Sequence, residues 1–176
     1  MGSIATIGEG QFLGLYSRDG WEFAARTNAE AVVGILPHTL QDEIVLVEQF
    51  RSPMQARVIE IPAGLVGDED AHHDESLEDT AQRELLEETG YRADRLELLQ
   101  SSPTSAGMTP ELTHIFYATE LQRMGDGGGV EAEDIVVHPV PRSELRSWLA
   151  KRQAEGILID FKIHAALWLA GFHDLQ

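Results

Sequence analysis

The sequence predicts an α/β fold in which mixed β-sheets lie between helices, with an antiparallel β segment near the N-terminus. Three observations lead to this prediction. Several apolar runs of strand length precede the first helical pattern, one strong amphipathic helix follows near the middle, and two more helices close the chain. Because strands and helices do not alternate regularly, we do not expect a doubly wound parallel sheet. The length fits a single domain over residues 1–176.

The first third of the chain reads as a hairpin followed by buried strands. Residues 11–18 and 21–26 are short alternating runs, and the DG pair between them is a strong hairpin signal. More continuously apolar runs then predict three buried strands, over residues 29–38, 43–51 and 57–64. The last of these strands is predicted to stop at Pro62 and Gly64.

Residues 76–89 give the clearest helical pattern in the chain. Three apolar side chains recur at every fourth position and predict its inward-facing stripe: Leu77, Ala81 and Leu85. Asp74 and Ser76 are candidate caps at its start. Gly90 is expected just past its end.

The remainder of the chain predicts three more strands and two helices. The strands cover residues 95–100, 112–121 and 133–140, and the helices cover residues 142–153 and 161–172. Pro141 and Ser143 are expected to open the first of these helices. Residues 125–129, GDGGG, are predicted to be a flexible loop rather than a linker between domains.

The composition restricts the functions open to this chain. An apolar fraction of 43% is enough for a packed core, and a net charge of −17 argues against nucleic acid as a partner. The absence of cysteine excludes disulfides, thiolate zinc sites and cysteine nucleophiles. No apolar run is long enough to span a bilayer and no secretory signal is recognisable. We therefore expect a cytoplasmic protein without a membrane partner.

The end of the central helix concentrates carboxylates. Glu84, Glu87 and Glu88 lie three and four positions apart, so they share one helix face near the negative pole of the helix dipole. Each like-charge pair is unfavourable by roughly a few tenths of a kcal/mol. Arg83 is placed to brace the cluster. Oxygen ligands in this arrangement suit Mg²⁺ or Mn²⁺, and the alternative is a solvated acidic face.

The stretch PAGLVGDEDAHHDESLEDTAQRELLEETGY, residues 62–91, carries a more specific pattern. From Gly64 to residue 91 it resembles the Nudix box, G-x5-E-x7-R-E-U-x-E-E-x-G-U, in which U is a bulky apolar residue. The matching positions are Glu75, Arg83, Glu84, Leu85, Glu87, Glu88, Gly90 and Tyr91. Ten residues separate Gly64 from Glu75 where the pattern has five. The loop before the helix therefore carries an insertion, which contains His72 and His73.

This resemblance implies a Nudix hydrolase, in which the box helix holds the catalytic divalent ions. It makes Glu84, Glu87 and Glu88 metal ligands, and it gives Glu84 and Glu88 catalytic importance. The carbonyl of Ala63 would complete the site. In physical terms, the ions would offset the crowded carboxylates, neutralise a pyrophosphate and lower the pKa of a bound water.

Outside the box, the chain resembles the ADP-ribose pyrophosphatase and nucleoside-diphosphate-sugar hydrolase group. EAEDIVVHPV resembles the late acidic loop that supplies the general base of this group. The resemblance assigns that base to Glu133, with Glu131 as the second choice. The alternative is a solvated acidic turn. The adjoining residues 125–129 are expected to give this loop the freedom to close on substrate.

SSPTSAGMTPE resembles the group's S-P-G-x-x-x-E signature, although Ala106 stands where the pattern has proline. That proline is a usual sign of ADP-ribose preference, so the preferred sugar stays open. By resemblance, Ser105 and Glu111 would contact the terminal ribose side of the ligand. Met108, beside the signature glycine, is a candidate for lining the pocket.

Two further segments are expected to bind the nucleotide. Arg51 matches an arginine that grips the diphosphate, a task for which a guanidinium fork is suited. WEFAAR resembles an N-terminal segment in which an aromatic residue, here Trp21, stacks on the base and an arginine, here Arg26, reaches the phosphates. The alternative for Trp21 is a core or interface aromatic. In the family this sheet, about residues 10–30 here, crosses to the partner subunit, which implies a homodimer with shared active sites.

The expected activity is Mg²⁺-dependent hydrolysis of a nucleoside diphosphate sugar, foremost ADP-ribose to AMP and ribose 5-phosphate. GDP-mannose or another nucleotide sugar is the nearest alternative. A Nudix-fold sensor that binds without hydrolysis is a weaker alternative, because every box glutamate is present. A Ca²⁺-binding protein is disfavoured, because no loop has the spacing of EF-hand ligands.

Overall fold

The computed structural model describes residues 2–29, 31–67, 75–130 and 134–173. In this part of the chain there are eleven strands, three α-helices and one 3₁₀ turn. The strands are β1 (Ala5–Glu9), β2 (Leu13–Arg18), β3 (Trp21–Arg26), β4 (Ala31–Pro37), β5 (Glu43–Arg51), β6 (Ala56–Glu60), β7 (Ala63–Val66), β8 (Tyr91–Pro103), β9 (Leu112–Arg123), β10 (Val136–Pro141) and β11 (Leu158–Ile159). The helices are α1 (Leu77–Thr89), α2 (Leu145–Ala154) and α3 (Phe161–Leu169), and the 3₁₀ turn is Arg142–Glu144.

The strands pair into three sheets. β1, β2 and β3 form an antiparallel sheet, and the other two sheets have the orders β10-β5-β6-β11 and β7-β4-β9-β8. Both four-stranded sheets are mixed, because β4 runs parallel to β9 and β11 runs parallel to β6 while their other pairs are antiparallel. The prediction of mixed sheets with an antiparallel N-terminal segment is confirmed.

Alternating side chains of the central strands divide the core into two layers. Along β4, Val33 and Ile35 pack with Ala81 and Leu85 of α1. The next residue, Leu36, packs instead with the buried side chains of α2 and α3. The residues of β5 alternate in the same way. α1 therefore covers one side of the sheets and α2 and α3 cover the other, as the α/β/α prediction requires.

The N-terminal hairpin forms as predicted between β2 and β3. Asp19 and Gly20 have φ values of 52° and 82°, the left-handed conformation that a type I′ hairpin turn needs at both positions. β1 pairs with β2 and adds a third strand that the sequence analysis did not predict. All five residues of β1 are exposed. No buried face therefore marked this strand in the sequence.

α1 begins and ends where the sequence predicts. The hydroxyl oxygen of Ser76 accepts a hydrogen bond from the Asp79 amide at 3.1 Å and caps the first turn. Gly90 follows the last residue with a φ of 74°, and its amide donates to the Leu86 carbonyl. Asp74, the other candidate cap, lies outside the described residues.

Other boundaries differ from the prediction where backbone pairing outweighs side-chain pattern. β8 and β9 extend beyond their apolar runs because they pair with each other from Tyr91 to Pro103. β11 was not predicted, since two residues carry too little pattern to be recognised. α2 starts later than expected, because a 3₁₀ turn follows Pro141. The insertion with His72 and His73 lies outside the described residues, and within them no helix is long and apolar enough to cross a membrane.

Candidate active site

A cavity of about 300 Å³ lies at the glutamate end of α1, next to β5 and β7. It is lined by Arg26, Val32, Gln49, Arg51, Ala63, Gly64, Leu65, Glu84 and Glu88. Five of these were assigned to the site from the sequence: Arg26, Arg51, Ala63, Glu84 and Glu88. The fold thus brings predicted metal ligands and predicted phosphate-binding arginines to one cavity.

Gly64 allows α1 to approach β7 closely. The residue lies inside β7, opposite Val33 of β4. A Cβ atom at this position would lie 1.9 Å from the carboxyl carbon of Glu84. Glycine is needed here because the glutamate side chain fills the space that a Cβ would take. The prediction that Gly64 ends a strand was therefore wrong, because the glycine serves close packing and not a chain turn.

Glu88 ties the end of α1 to the same strand. It is 4% exposed, and the amide of Ala63 donates a hydrogen bond to its carboxylate at 3.1 Å. A bond of this type offsets part of the desolvation that a buried carboxylate suffers. The carboxylate therefore lies beside the residue whose carbonyl was predicted as a metal ligand.

Arg83 braces the acidic cluster, as predicted. Its Nε donates to Glu75 at 3.1 Å, and its Nη1 donates to Glu84 at 2.8 Å and to Glu87 at 3.2 Å. Burial alone would lower the pKa of Arg83, but the charges of Glu84 and Glu75 and their hydrogen bonds raise it above its ordinary value. One permanent cation thus links three carboxylates of the Nudix-box segment.

The oxygen donors of this cavity fit a magnesium ion that is bound together with phosphate. Glu84, Glu88 and Ala63 line the cavity, whereas Glu87 is not among its lining residues. Arg83 is bonded to both Glu84 and Glu87. Among the described residues, no three acidic or histidine side chains gather into a group that could hold an ion alone. Mg²⁺ commonly takes one or two carboxylates and completes its shell with water and substrate phosphates. The donor set matches that pattern.

Two arginines at the cavity are each oriented by a carboxylate. Arg51 Nε donates to Glu60 at 2.7 Å, and Glu60 is itself nearly buried. Arg26 Nε donates to Glu111, also at 2.7 Å. Charge-assisted bonds of this length restrict a long side chain to few conformations. Both guanidiniums are therefore positioned where an anion in the cavity would meet them.

The signature loop, residues 105–111, packs against β3. The Trp21 indole N–H donates to the Gly107 carbonyl at 3.0 Å, and the Ala24 amide donates to the Met108 carbonyl at 2.9 Å. Together with the pair between Arg26 and Glu111, these contacts bring four predicted substrate residues side by side. Ser105 belongs to the same loop, and its carbonyl accepts from the Met108 amide at 2.9 Å.

Residues 125–129 belong to neither a strand nor a helix, in agreement with the predicted loop, and two of their amides contact α1. The Gly128 amide donates to the Glu88 carbonyl at 2.9 Å, and the Gly129 amide donates to the Glu87 carbonyl at 3.0 Å. The segment is therefore anchored on the last turn of α1. Glu133, the predicted general base, and Glu131, its alternative, lie outside the described residues, so their assignment stays a prediction.

A buried ion network next to the site was missed by the sequence analysis. Glu48 of β5 is 5% exposed and accepts from Arg57 at 2.6 Å, from Arg152 at 2.7 Å and from His138 at 3.0 Å. Burial raises the pKa of Glu48, but the hydrogen bonds from these three residues outweigh it and hold the pKa below its ordinary value. Arg57 also donates to Asp134 at 2.8 Å. In the sequence, the signal that could have indicated this network is Glu48 itself, a charged residue that follows the apolar run of β5.

Comparison with known proteins agrees with this architecture. A family model described as the NUDIX domain matches residues 28–158. A solved structure titled as an ADP compounds hydrolase has a TM-score of 0.73, covering 96% of this chain and 89% of that one, at 19% identity. The family match spans most of the chain, and the structural match shows the same fold. The chain therefore belongs to the Nudix family.

Several relatives share part of the sequence. A methanol dehydrogenase activator of Bacillus methanolicus is 36% identical over 65% of this chain and 58% of its own. An ADP-ribose pyrophosphatase of Bacillus subtilis is 36% identical over 59% of this chain and 54% of its own. A GDP-mannose pyrophosphatase of Cronobacter sakazakii is 33% identical over 78% and 70%. The chain thus spans a little over half the length of the first two relatives.

Glu48→Gln should lower the free energy of unfolding at pH 7 by about 3 kcal/mol, because it removes the buried carboxylate that Arg57 and Arg152 share. These guanidiniums would keep only their more exposed carboxylate partners, Asp134 and Glu155. The folded-state pKa of Glu48 lies below the ordinary value of 4.5. The stabilisation that Glu48 provides is therefore complete above pH 4.5 and is lost as the pH falls through the folded-state pKa. Urea unfolding at several pH values should show the difference between wild type and variant narrowing in acid.

Glu97→Gln provides the control for this measurement. Glu97 pairs with Arg95 at 3.2 Å on the exposed surface. Losing such a pair should change the free energy of unfolding by less than about 0.5 kcal/mol. Equal losses in the two variants, or a Glu48→Gln deficit that stays the same at all pH values, would contradict the buried network.

Proposed function

We propose that this protein hydrolyses the pyrophosphate bond of a nucleoside diphosphate sugar in a Mg²⁺-dependent reaction, with ADP-ribose as the first candidate. The products would then be AMP and ribose 5-phosphate. One observation carries the proposal: two carboxylates of α1 and two arginines line the same cavity. A divalent cation and a diphosphate would complement both sets of charges at once.

The metal would be held by Glu84 and Glu88 with the carbonyl of Ala63, which all line the cavity. Glu87, which does not line it, would be a third carboxylate ligand. Mg²⁺ is proposed and Mn²⁺ is an alternative, since both accept carboxylate and carbonyl oxygens. When bound, such an ion neutralises phosphate charge and makes a bound water more acidic. Arg83 would keep Glu84 oriented, because it binds that carboxylate at 2.8 Å.

The diphosphate would be bound by Arg51 and Arg26, which both line the cavity. Their forked guanidiniums match phosphate oxygens and would stabilise charge that develops on them during reaction. By the family resemblance, Glu133 would take the proton from the attacking water, with Glu131 as the alternative. The water would attack one phosphorus in line with the bridging oxygen.

The base and sugar would be recognised by the contact between β3 and the signature loop. Trp21 would stack on the base, because 65% of its surface is exposed although its indole N–H is fixed by the Gly107 carbonyl. Met108 would line the pocket, and Ser105 and Glu111 would contact the ribose side. The B. subtilis relative supports ADP-ribose.

GDP-mannose is the second candidate substrate. Ala106 replaces the signature proline that usually accompanies ADP-ribose preference. The relative from C. sakazakii, which matches a larger share of the chain than the B. subtilis protein does, is named for GDP-mannose. The two substrates share the diphosphate and differ at both ends, so the cavity residues would bind either one.

A panel of nucleoside diphosphate sugars with Mg²⁺ tests this function. ADP-ribose should be cleaved to AMP and ribose 5-phosphate, both identified by chromatography and ³¹P NMR. Chelation of the metal should remove turnover, and Mn²⁺ should restore it. Faster cleavage of GDP-mannose would favour the second candidate. No cleavage of any panel member would overturn the proposal.

Glu88→Gln should reduce turnover at least about 100-fold, because a neutral amide is a poor ligand for a hard divalent cation. Glu84→Gln should act in the same way. Glu78→Gln is the matched control on the same helix, since Glu78 is exposed in the first turn, and it should keep wild-type turnover. Steady-state kinetics over a Mg²⁺ titration measures the effect. Full activity in Glu88→Gln would refute the metal assignment.

We further propose a homodimer in which the N-terminal sheet contacts the partner subunit, with a location in the cytoplasm. Several apolar side chains in this sheet or next to its strands are exposed within the described residues, although the sheet attaches to the rest of the chain through the signature loop. The exposed fractions lie between 42% and 65%; the residues are Ile4, Ile7, Phe12, Leu13, Leu15 and Trp21. Exposed apolar surface of this kind marks interfaces.

Leu15→Asp should shift the protein from dimer to monomer, because a charge would be buried at the interface without a partner. Leu40→Asp is the control, since Leu40 is 77% exposed in the turn between β4 and β5. Sedimentation velocity measures the molar mass of each variant. A monomeric wild type, or a dimer unaffected by Leu15→Asp, would contradict the proposed interface.

A further inference from the structure

The backbone of three consecutive glycines is packed against the end of α1. These residues, Gly127, Gly128 and Gly129, are called the glycine clamp below. They follow β9 and precede residues 131–133 by sequence. All three have positive φ values, from 70° to 109°, a conformation that other residue types adopt only with strain.

Two amides of the clamp satisfy carbonyls that a helix end leaves without partners. The last four carbonyls of an α-helix have no intrahelical donor. Gly128 donates to the Glu88 carbonyl at 2.9 Å and Gly129 donates to the Glu87 carbonyl at 3.0 Å. The residues so capped are the two adjacent glutamates of the acidic cluster. The amide dipoles also lie at the negative pole of the helix, where they oppose its charge.

Gly127 has no room for a side chain. Its Cβ would lie 2.4 Å from the Thr89 carbonyl carbon and 2.7 Å from the Glu88 carbonyl oxygen. Both are backbone atoms, so the contact could be relieved only by moving the end of the helix or the clamp itself. Gly90 meets the same segment, because its own Cβ would lie 2.4 Å from the Gly125 carbonyl oxygen. The two backbones therefore interlock.

We infer that the glycine clamp is a positioning device for the carboxylates of the active site. It fixes the backbone of Glu87 and Glu88, and Glu88 is the residue that bonds Ala63 across the cavity. A shift of the last helical turn would move this carboxylate away from Ala63 and change the spacing of the metal ligands. The kinetic part of this inference rests on the proposed hydrolase function, while its structural part does not.

Gly127→Ala tests the clamp, with two alanine variants as matched controls. Gly125→Ala lies two residues earlier, and its Cβ would meet nothing within 4 Å. Gly156→Ala follows α2 with a φ of 90° and open space around its Cβ, so it introduces comparable backbone strain away from the cavity. A defect in site geometry should appear in Gly127→Ala and in neither control.

Three readouts separate positioning from general loss of stability. Turnover of the best panel substrate should fall between about 10-fold and 100-fold in Gly127→Ala, with KM little changed, because small misplacements of reacting groups act mainly on the chemical step. Affinity for Mn²⁺ in the presence of methylenediphosphonate, a pyrophosphate analogue that is not hydrolysed, should fall about 10-fold or more when it is measured by calorimetry. Thermal unfolding measures the general loss of stability, which should be larger in Gly127→Ala than in Gly156→Ala, because a backbone contact adds to the strain. The activity and binding assays are therefore run at a temperature at which both variants are folded.

Amide hydrogen exchange of the wild-type protein provides a test that needs neither activity nor a foldable variant. The Gly128 and Gly129 amides should exchange at least about 10-fold more slowly than in an unstructured peptide, without metal. Unprotected amides would overturn the clamp, as would a folded Gly127→Ala with wild-type Mn²⁺ affinity. A wild type that binds Mn²⁺ but cleaves no substrate would instead overturn the proposed hydrolysis and leave the clamp supported.

Discussion

The concentration of carboxylates at the C-terminal end of α1 is the constraint on which the rest of the site depends. Like charges at the negative pole of a helix repel one another and the helix dipole. The chain offsets this in three ways: Arg83 binds three carboxylates, the Ala63 amide binds Glu88, and backbone amides of the glycine clamp cap the final turn. Each of these contacts also restricts the orientation of a glutamate or of its backbone. The contacts that reduce the repulsion therefore also orient the proposed metal ligands.

The sheets bring the phosphate-binding groups to this helix end. β7 places Gly64 against Glu84, and β5 contributes Arg51 to the same cavity. β3 contributes Arg26 from the N-terminal sheet, which contacts the signature loop. Strands from three separate sheets therefore line one small cavity that holds both carboxylates and guanidiniums. The packing of α1 on β4 sets this geometry, since Leu85 and Ala81 are fully buried against Val33 and Ile35.

Several of these features could be predicted from the sequence, because the residues that indicate them lie within or next to the element concerned. Ser76 and Gly90 mark the ends of α1 by their own backbone preferences, and the DG turn fixes the hairpin in the same way. The acidic cluster follows from helical spacing alone. The role of Gly64 could not be predicted, because a glycine is needed there only when the distant helix α1 packs against it. The same holds for Glu48, whose partners come from β6, β10 and α2, and for the glycine clamp, whose contacts form only in the folded chain.

The pairing of both site arginines through their Nε atoms has an entropic consequence. A free arginine side chain carries about 2 kcal/mol of rotamer entropy, part of which is forfeited on binding an anion. Here Glu60 and Glu111 already restrict Arg51 and Arg26 in the protein without ligand. The rotamer entropy is therefore lost when the protein folds and not each time a ligand binds. The distance between the two guanidiniums is thereby held steady, and a ligand that spans it gains affinity over one that must pull them together.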